Sequence, residues 1–401
     1  MLKTVNRMDY LFMLIEQDIS LIVVGTYIEK ITQQTGDYRL TCPEWVSDET
    51  VIIKLKEMGI QRVLVNTSKL RLPTAAKAPM SSGEKTRFNA QITQAKALFS
   101  AAKVIQKKLF NNVKEGRDID LRPIKRLTQE SMDTLFKNAD ALVCAINLRN
   151  KDEYLFEHSY AVSILMTLFA RYLGIEKSII QELAIGAFLH DVGKTRTPNA
   201  ILHKPGKLTA AEFEIMKLHV DHSIEIIKSI PGISHLSLEV AALHHEKLNG
   251  EGYPYGVSGD RISTYGRMLS ICDIYDALTT NRCYKNSYTQ VKAFNIMRNL
   301  AEEGQLDLSL VNSFIKCMGV YPVGSLVKLG SNRLAIVEQI NQQDPIRPKV
   351  NTFYCLTKKG FETASKIDLA KQGDDKIVQS IRADDFDLDM EEIMRFLVSE
   401  A

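Results

Sequence analysis

Apolar residues recur at helical spacing from Phe88 to about Val113 and again from Pro123 to Leu148, which predicts two long helices. From Leu155 to about Met318 the same period continues in segments near 156–173, 177–190, 209–229, 236–246, 265–280, 288–303 and 307–318, separated by Gly- and Pro-containing connectors. An all-α core follows from that pattern. The two ends of the chain read differently. Residues 1–68 carry short strand-like runs, Ile19–Gly25 and Arg62–Val65, around an amphipathic stretch, Asp48–Met58, that Ser47 or Asp48 can cap and Gly59 can end. This predicts a small α/β module, in which Trp45 is a packing residue. After Tyr321, Gly324–Gly330 and Arg333–Ile340 read as strands around a Gly-Ser-Asn turn, with Val350–Leu356 as a third, so a small β-hairpin appendage is expected over 321–360. The segment 361–401 has 11 acidic against 5 basic residues and reads as a partly ordered acidic tail with a short amphipathic stretch at Met390–Val398.

The division that results is a module at 1–68, a Pro- and Ser-containing linker at 69–86, lead-in helices at 87–150, a helical domain at 151–320, the β appendage and the tail. At 401 residues the length agrees with two or three domains, and 45% hydrophobic with 25% charged residues is ordinary soluble composition. A net charge of +3 demands neither a nucleic-acid polymer nor an anionic membrane. Locally, residues 69–126 hold 14 Lys/Arg against 4 Asp/Glu. That excess reads as a solvated helix face, because the aromatics there, Phe88, Phe99 and Phe110, repeat every eleven residues and mark a buried side instead. Six scattered cysteines without close pairs suit reduced thiols in the cytoplasm. No signal peptide is read at the N-terminus, where Glu16, Gln17 and Asp18 interrupt the apolar run. The most apolar helical stretch, Ala161–Ala170, is half the length a membrane crossing needs.

Chemistry enters with the histidines. There are 8, at 158, 190, 203, 219, 222, 235, 244 and 245, all within the helical domain. His190-Asp191 ends an apolar helix and pairs a borderline ligand with a hard one, which suits two metals sharing a carboxylate. Lys194 lies almost a turn further on, placed to meet an anionic substrate such as a phosphate. Asp273 sits among apolar neighbours, where burial is costly unless a cation compensates it. His203, His222 and His235 read as ordinary imidazoles. His244 and His245 diverge by about 100° on a helix, so both can ligate only if the metals lie at that helix end.

These residues, with Lys204-Pro-Gly-Lys-Leu-Thr, His244-His245-Glu246, Gly250-x-Gly252-Tyr253-Pro254 and Asp273-x-x-Asp276-Ala-Leu-Thr, resemble in order and spacing the HD-GYP phosphodiesterases over about 155–320. The N-terminal module is similar to the uncharacterised domain often found ahead of HD-GYP. The resemblance implies an HD-type metallophosphodiesterase bundle that hydrolyses cyclic dinucleotides, above all cyclic di-GMP, to the linear dinucleotide pGpG and, in many members, on to GMP. It implies one metal on His158, His190, Asp191 and Asp273, a second on His219, His244 and His245, and Asp191 bridging them. Iron or manganese are the metals expected, and a water activated between them attacks the phosphodiester. Lys194 would hold a phosphate oxygen, Asp276 would contact guanine, and Arg282 and Lys285 would hold the dinucleotide. Tyr253 is placed to cover the substrate or to meet a partner domain.

Three departures narrow the expectation. Residue 249 is Asn where the family more often has Asp, and Arg282-Cys283-Tyr284 replaces Arg-Pro-Tyr. Tyr154 stands where some members carry a third-metal glutamate, so a binuclear site is expected. A preference for cyclic GMP-AMP, a non-catalytic dinucleotide receptor, and a generic HD nucleotide phosphohydrolase are the alternatives. A diguanylate-cyclase domain and a second copy of the chain stand open as protein partners.

Overall fold

The computed structural model of the chain describes residues 14–19, 22, 27–36, 43–46, 49–66, 82–147, 154–280, 287–341, 343–371 and 375–399. It divides into two units, Met1–Met80 and Ser81–Ala401. In the first, β1 (Leu14–Asp18), β2 (Tyr27–Gln34), β3 (Glu44–Trp45) and β4 (Ile60–Asn66) form an antiparallel sheet in the order β1-β4-β2-β3, and α1 (Glu49–Glu57) connects β3 to β4. Alternation along β4 turns Val63 and Val65 into a small core with Ile28, Leu55 and Ile60. The first strand among the described residues precedes the apolar run from Ile19: its pairing with β4 runs from Leu14↔Asn66 to Asp18↔Arg62. This edge position tolerates the charged Leu-Ile-Glu-Gln-Asp sequence. Residues 20, 21 and 23–25 of the expected strand, like Ser47 and Asp48, lie outside the described residues.

The second unit opens with α2 (Ser82–Lys114), so residues 82–86, expected as the end of a linker, begin a helix. Phe99 and Phe110 are buried on it while Lys96, Lys107, Lys108 and Lys114 are exposed. The second lead-in helix is broken in two, α3 (Arg122–Lys137) and α4 (Ala139–Asn147), because Asn138 is extended at φ −159° and ψ 106°.

The bundle continues with α5 (Tyr154–Tyr172), α6 (Lys177–Leu189), a 3-10 turn (Val192–Arg196), α7 (Asn199–Leu202), α8 (Ala210–Lys217), α9 (His219–Lys228), α10 (His235–Leu243), α11 (Thr264–Thr279), α12 (Gln290–Glu302) and α13 (Leu308–Met318). Tyr160, Val162, Ile164, Leu165, Met166 and Phe169 are at most 1% exposed, so α5 is apolar on all sides and forms the axis of the core. Its buried Ser163 hydroxyl donates to the Ala184 carbonyl of α6 at 2.7 Å, pinning the two helices together. A capping box between Thr209 and Glu212 starts α8.

The expected hairpin is present as β5 (Leu326–Leu329) and β6 (Arg333–Gln339). It extends through β7 (Lys349–Cys355), β8 (Gly360–Asp368) and β9 (Ile377–Ile381) into a five-stranded antiparallel sheet of order β8-β7-β6-β5-β9. The described residues of 361–399 therefore do not form a partly ordered tail: they supply most of β8, all of β9 and α14 (Met390–Ser399). Ile393 and Leu397 of α14 pack with Leu334, Ile336 and Phe353 on one face, while Val337, Val350 and Ile367 fill the other. No helix among the described residues is long and apolar enough to cross a membrane. Cys144, Cys272, Cys317 and Cys355 are free thiols, and Cys42 and Cys283 lie outside the described residues.

Candidate metal centre

The apolar run of α6 delivers His190 and Asp191 to the interior, 0% and 2% exposed, where the helix gives way to the 3-10 turn. The turn lies so close to α9 that a Cβ on Gly193 would stand 2.0 Å from the His219 carbonyl oxygen and 2.4 Å from the Ser223 nitrogen. Only glycine permits this approach, and the Gly193 N–H donates to Ser223 Oγ at 2.8 Å. His219, the first residue of α9, is thereby set against Asp191.

The Asp191 carboxylate faces two groups of imidazoles. Its Oδ2 lies 3.3 Å from His190 Nε2 and 3.6 Å from His158 Nε2, and its Oδ1 lies 3.3 Å from His219 Nε2. Asp273, one turn from Asp276 on α11, brings Oδ1 to 3.0 Å from His158 Nε2 and 3.8 Å from His190 Nε2. His244 and His245 follow the last residue of α10. Beyond the regular helix they converge, with ring centroids 4.0 Å apart. Three overlapping groups, His158/His190/Asp273, His190/Asp191/His244 and His219/His244/His245, each gather their ligand atoms within 4.8 Å.

The tautomers are set from outside the cluster. His190 Nδ1 donates to the Ala187 carbonyl, His219 Nδ1 to Met216 and His244 Nδ1 to Ala241, each at 2.7 Å. A carbonyl only accepts, so each Nδ1 carries a proton, and the tautomer this selects turns its Nε2 lone pair inward. Those three Nε2 atoms and Asp191 Oδ1 are buried without a hydrogen-bond partner. Four orphaned donors of electron pairs in these overlapping groups fit cations, which would compensate their desolvation. Burial opposes the charge on Asp191 and Asp273, yet the surrounding His190, Lys194 and His158 hold both carboxyls well below their usual range. Burial, then neighbouring histidine, pushes His244 well below the usual imidazole value, and burial brings His245 down to about 3. Carboxylate and neutral imidazole are the ligating forms.

Lys194 Nζ sits 2.5 Å from Asp191 Oδ2 at the mouth of the cluster. Tyr253 lies over His245 with ring centroids 4.7 Å apart, and its N–H donates to the His245 carbonyl at 3.2 Å. Its loop returns so tightly that a Cβ on Gly252 would stand 2.4 Å from the Lys247 nitrogen. Glu246, 3% exposed, holds the loop from within: Oε1 accepts from the Tyr255 N–H at 2.7 Å and Oε2 from the Val257 N–H at 3.1 Å. Its role was missed in the sequence, although its place directly after His244-His245 was a signal.

Asp276, expected to contact guanine, has a side chain 0% exposed whose Oδ2 accepts from His158 Nδ1 at 2.8 Å, so this carboxylate orients a histidine. Arg282 and Lys285 lie outside the described residues. His203 and His235 are exposed and apart from the cluster, and His222 takes no place in it among the described residues.

A helical bundle that closes on a buried His/Asp cluster headed by a His-Asp pair defines an HD-domain, metal-dependent phosphodiesterase. Residues 143–310 match the HD domain family, and residues 14–124 match a domain of unknown function (DUF3391). A cyclic di-GMP phosphodiesterase of Pseudomonas aeruginosa is 33% identical over 339 residues, covering 81% of each chain. One from Thermotoga maritima is 32% identical over 219 residues, 54% of this chain and 56% of that one. A 3'3'-cGAMP-specific phosphodiesterase of Vibrio cholerae is 34% identical over 176 residues, 44% of this chain and 41% of that one. The chain belongs to the HD-GYP family of HD-domain phosphodiesterases, in the form that carries DUF3391 ahead of the catalytic bundle.

Proposed function

We propose that this protein hydrolyses cyclic di-GMP at a 3'-5' phosphodiester to linear pGpG, at a centre of two divalent cations, iron or manganese. The observation that carries the reading is Asp191, whose two carboxylate oxygens face different imidazole groups. His158, His190, Asp191 and Asp273 would hold one cation, and His219, His244 and His245 the other, with Asp191 shared. Mixed imidazole and carboxylate donors without thiolate suit iron or manganese. Two such cations supply an activated water and neutralise charge developing on the phosphoryl oxygens.

The chain's own groups do the rest. Lys194, already beside Asp191, is placed to hold a non-bridging phosphate oxygen as charge builds on it. Tyr253 covers the histidines on the open side, and Glu246 keeps its loop in place. Water's oxygen becomes part of the 5'-phosphate, and the 3' oxygen leaves as a hydroxyl. Residues 151–320 are the catalytic domain in this reading, with 1–68 a regulatory module.

Similarity to the Pseudomonas and Thermotoga proteins supports cyclic di-GMP, while similarity to the Vibrio protein supports 3'3'-cyclic GMP-AMP as the second reading. The test is product chromatography after anaerobically purified, metal-analysed protein is incubated with each dinucleotide separately. Linear pGpG from cyclic di-GMP upholds the first reading. Product from the hybrid alone transfers the assignment to the second, and turnover of neither with two metals bound turns the reading toward a receptor or a site held closed by the N-terminal module.

A further inference from the structure

Helix α8 buries none of its residues and turns Phe213 outward, 44% exposed. A large ring left in water forgoes its burial energy, and this ring is not isolated. Phe213 meets Tyr253 edge to face at 6.4 Å and 86°, and Tyr253 in turn lies 4.7 Å from His245 and 6.3 Å from His219. The Lys217 ammonium is 5.2 Å from the Phe213 centroid and 5.8 Å from that of Tyr253. Its carboxylate partner, Glu214 at 2.7 Å, is 68% exposed, so this is a surface pair that a ligand can displace. A path of rings therefore leads from the histidine cluster to a partly exposed aromatic ring with a cation over it.

We propose that Phe213 and Lys217 form a guanine subsite: one base of the substrate stacks on Phe213, and the Lys217 ammonium donates to its O6 and N7. The proposal rests on the reading of the substrate as a cyclic dinucleotide. Stacking on an aromatic side chain holds any base, because every base has a π-face. The cation supplies the selection. Guanine presents two adjacent acceptors, O6 and N7, whereas adenine presents N7 beside a donor amino group that a lysine cannot satisfy. Tyr253 joins the two parts of the site, with one ring contact to the cluster and another to the platform. A phosphodiester at the cluster and its base on Phe213 then occupy the two ends of a single path.

The test measures kcat and KM of the full, metal-loaded chain with cyclic di-GMP, 3'3'-cyclic GMP-AMP and cyclic di-AMP for Phe213→Ala, Phe213→Trp, Lys217→Met and Lys217→Arg. Phe213→Ala should raise KM for cyclic di-GMP about five- to a hundredfold, with a smaller change in kcat, and tryptophan should restore it. Lys217→Met should shrink the preference for cyclic di-GMP over cyclic di-AMP by about five- to a hundredfold, and arginine should retain it. Metal content is measured for each variant, and Phe213→Leu replaces the alanine variant if that one loses metal. Unchanged KM in the ring-deleted variant, or unchanged base preference in Lys217→Met, overturns the subsite while the substrate assignment stands. Wild-type protein that neither cleaves nor binds any of the three dinucleotides overturns both.

Discussion

His158 and Asp276 are joined by a 2.8 Å hydrogen bond from Nδ1 to Oδ2 in the protein interior, where the two residues are 2% and 0% exposed. The bond turns His158 so that Nε2 faces Asp191 and Asp273. A carboxylate behind a ligating histidine fixes its orientation and raises its basicity, and losing one costs about 10- to 100-fold in metal affinity. Asp276→Ala should show a loss of that size in chelator competition while the fold persists. Unaltered affinity would mean that packing alone orients His158.

Lys194 lies 2.5 Å from Asp191 Oδ2 and is 19% exposed. If it acts on the phosphoryl oxygens, its removal should fall on the chemical step. Lys194→Met should lower kcat by about 10²- to 10³-fold, the cost of removing one preorganised transition-state donor, with metal content retained. An intact kcat would remove Lys194 from the reaction and leave it a partner of Asp191 alone.

Glu246 governs the loop over the site. Its two oxygens hold the Tyr255 and Val257 N–H groups, and Tyr253 lies between the glutamate and that clamp in sequence. Glu246→Ala leaves those donors without their charged acceptor, at a cost of about 1–3 kcal/mol. The expected outcome is a lower urea midpoint together with a higher KM, because the loop that carries Tyr253 is no longer held. A variant that loses stability with KM unchanged would separate the clamp from substrate binding.

Gly193 makes a sharper case, since the groups a Cβ would strike at 2.0 and 2.4 Å are the His219 carbonyl and the Ser223 nitrogen, both backbone. Neither can rotate away. Gly193→Ala must move α9, and His219 with it, so the expected result is a fall in thermal midpoint and loss of metal. An alanine variant that keeps both would show that the turn has slack.

Much of this was legible in the sequence, for identifiable reasons. All eight histidines fall in one helical region, and the distinct spacings around them name the cluster. The role of Asp276 was not legible: its spacing from Asp273 puts both on one face of α11, but which neighbour that face meets depends on how α5 packs. The segment after 361 misled because its acidic composition hides the apolar positions that enter the sheet and α14, Ile367, Ile381, Ile393 and Leu397. The strand at Leu14–Asp18 was missed for a related reason. Hydrophobicity marks a buried strand, and Leu14–Asp18 is an edge strand, specified by its pairing with β4.

The cluster also makes the metal-free protein sensitive to acid. His244 and His245 are held below the usual imidazole range, the second down to about 3, chiefly by burial. In the unfolded chain both take up protons near about pH 6.5. Below that pH the unfolded state binds more protons than the folded state, so stability falls as pH falls. His158 works in the opposite sense: burial disfavours its charge, but Asp273 and Asp276 outweigh that and raise its pKa, giving stability that is lost as pH rises through the folded value. Asp191 and Asp273, both depressed, keep their contribution throughout this window and lose it only at much lower pH. Two imidazoles against one leave a net loss on acidification from about pH 7 to about pH 5. Thermal midpoints of chelator-stripped protein should fall across that range, and His245→Gln should flatten the decline. A midpoint that rises on acidification would mean that protonation of His158 dominates the emptied cluster.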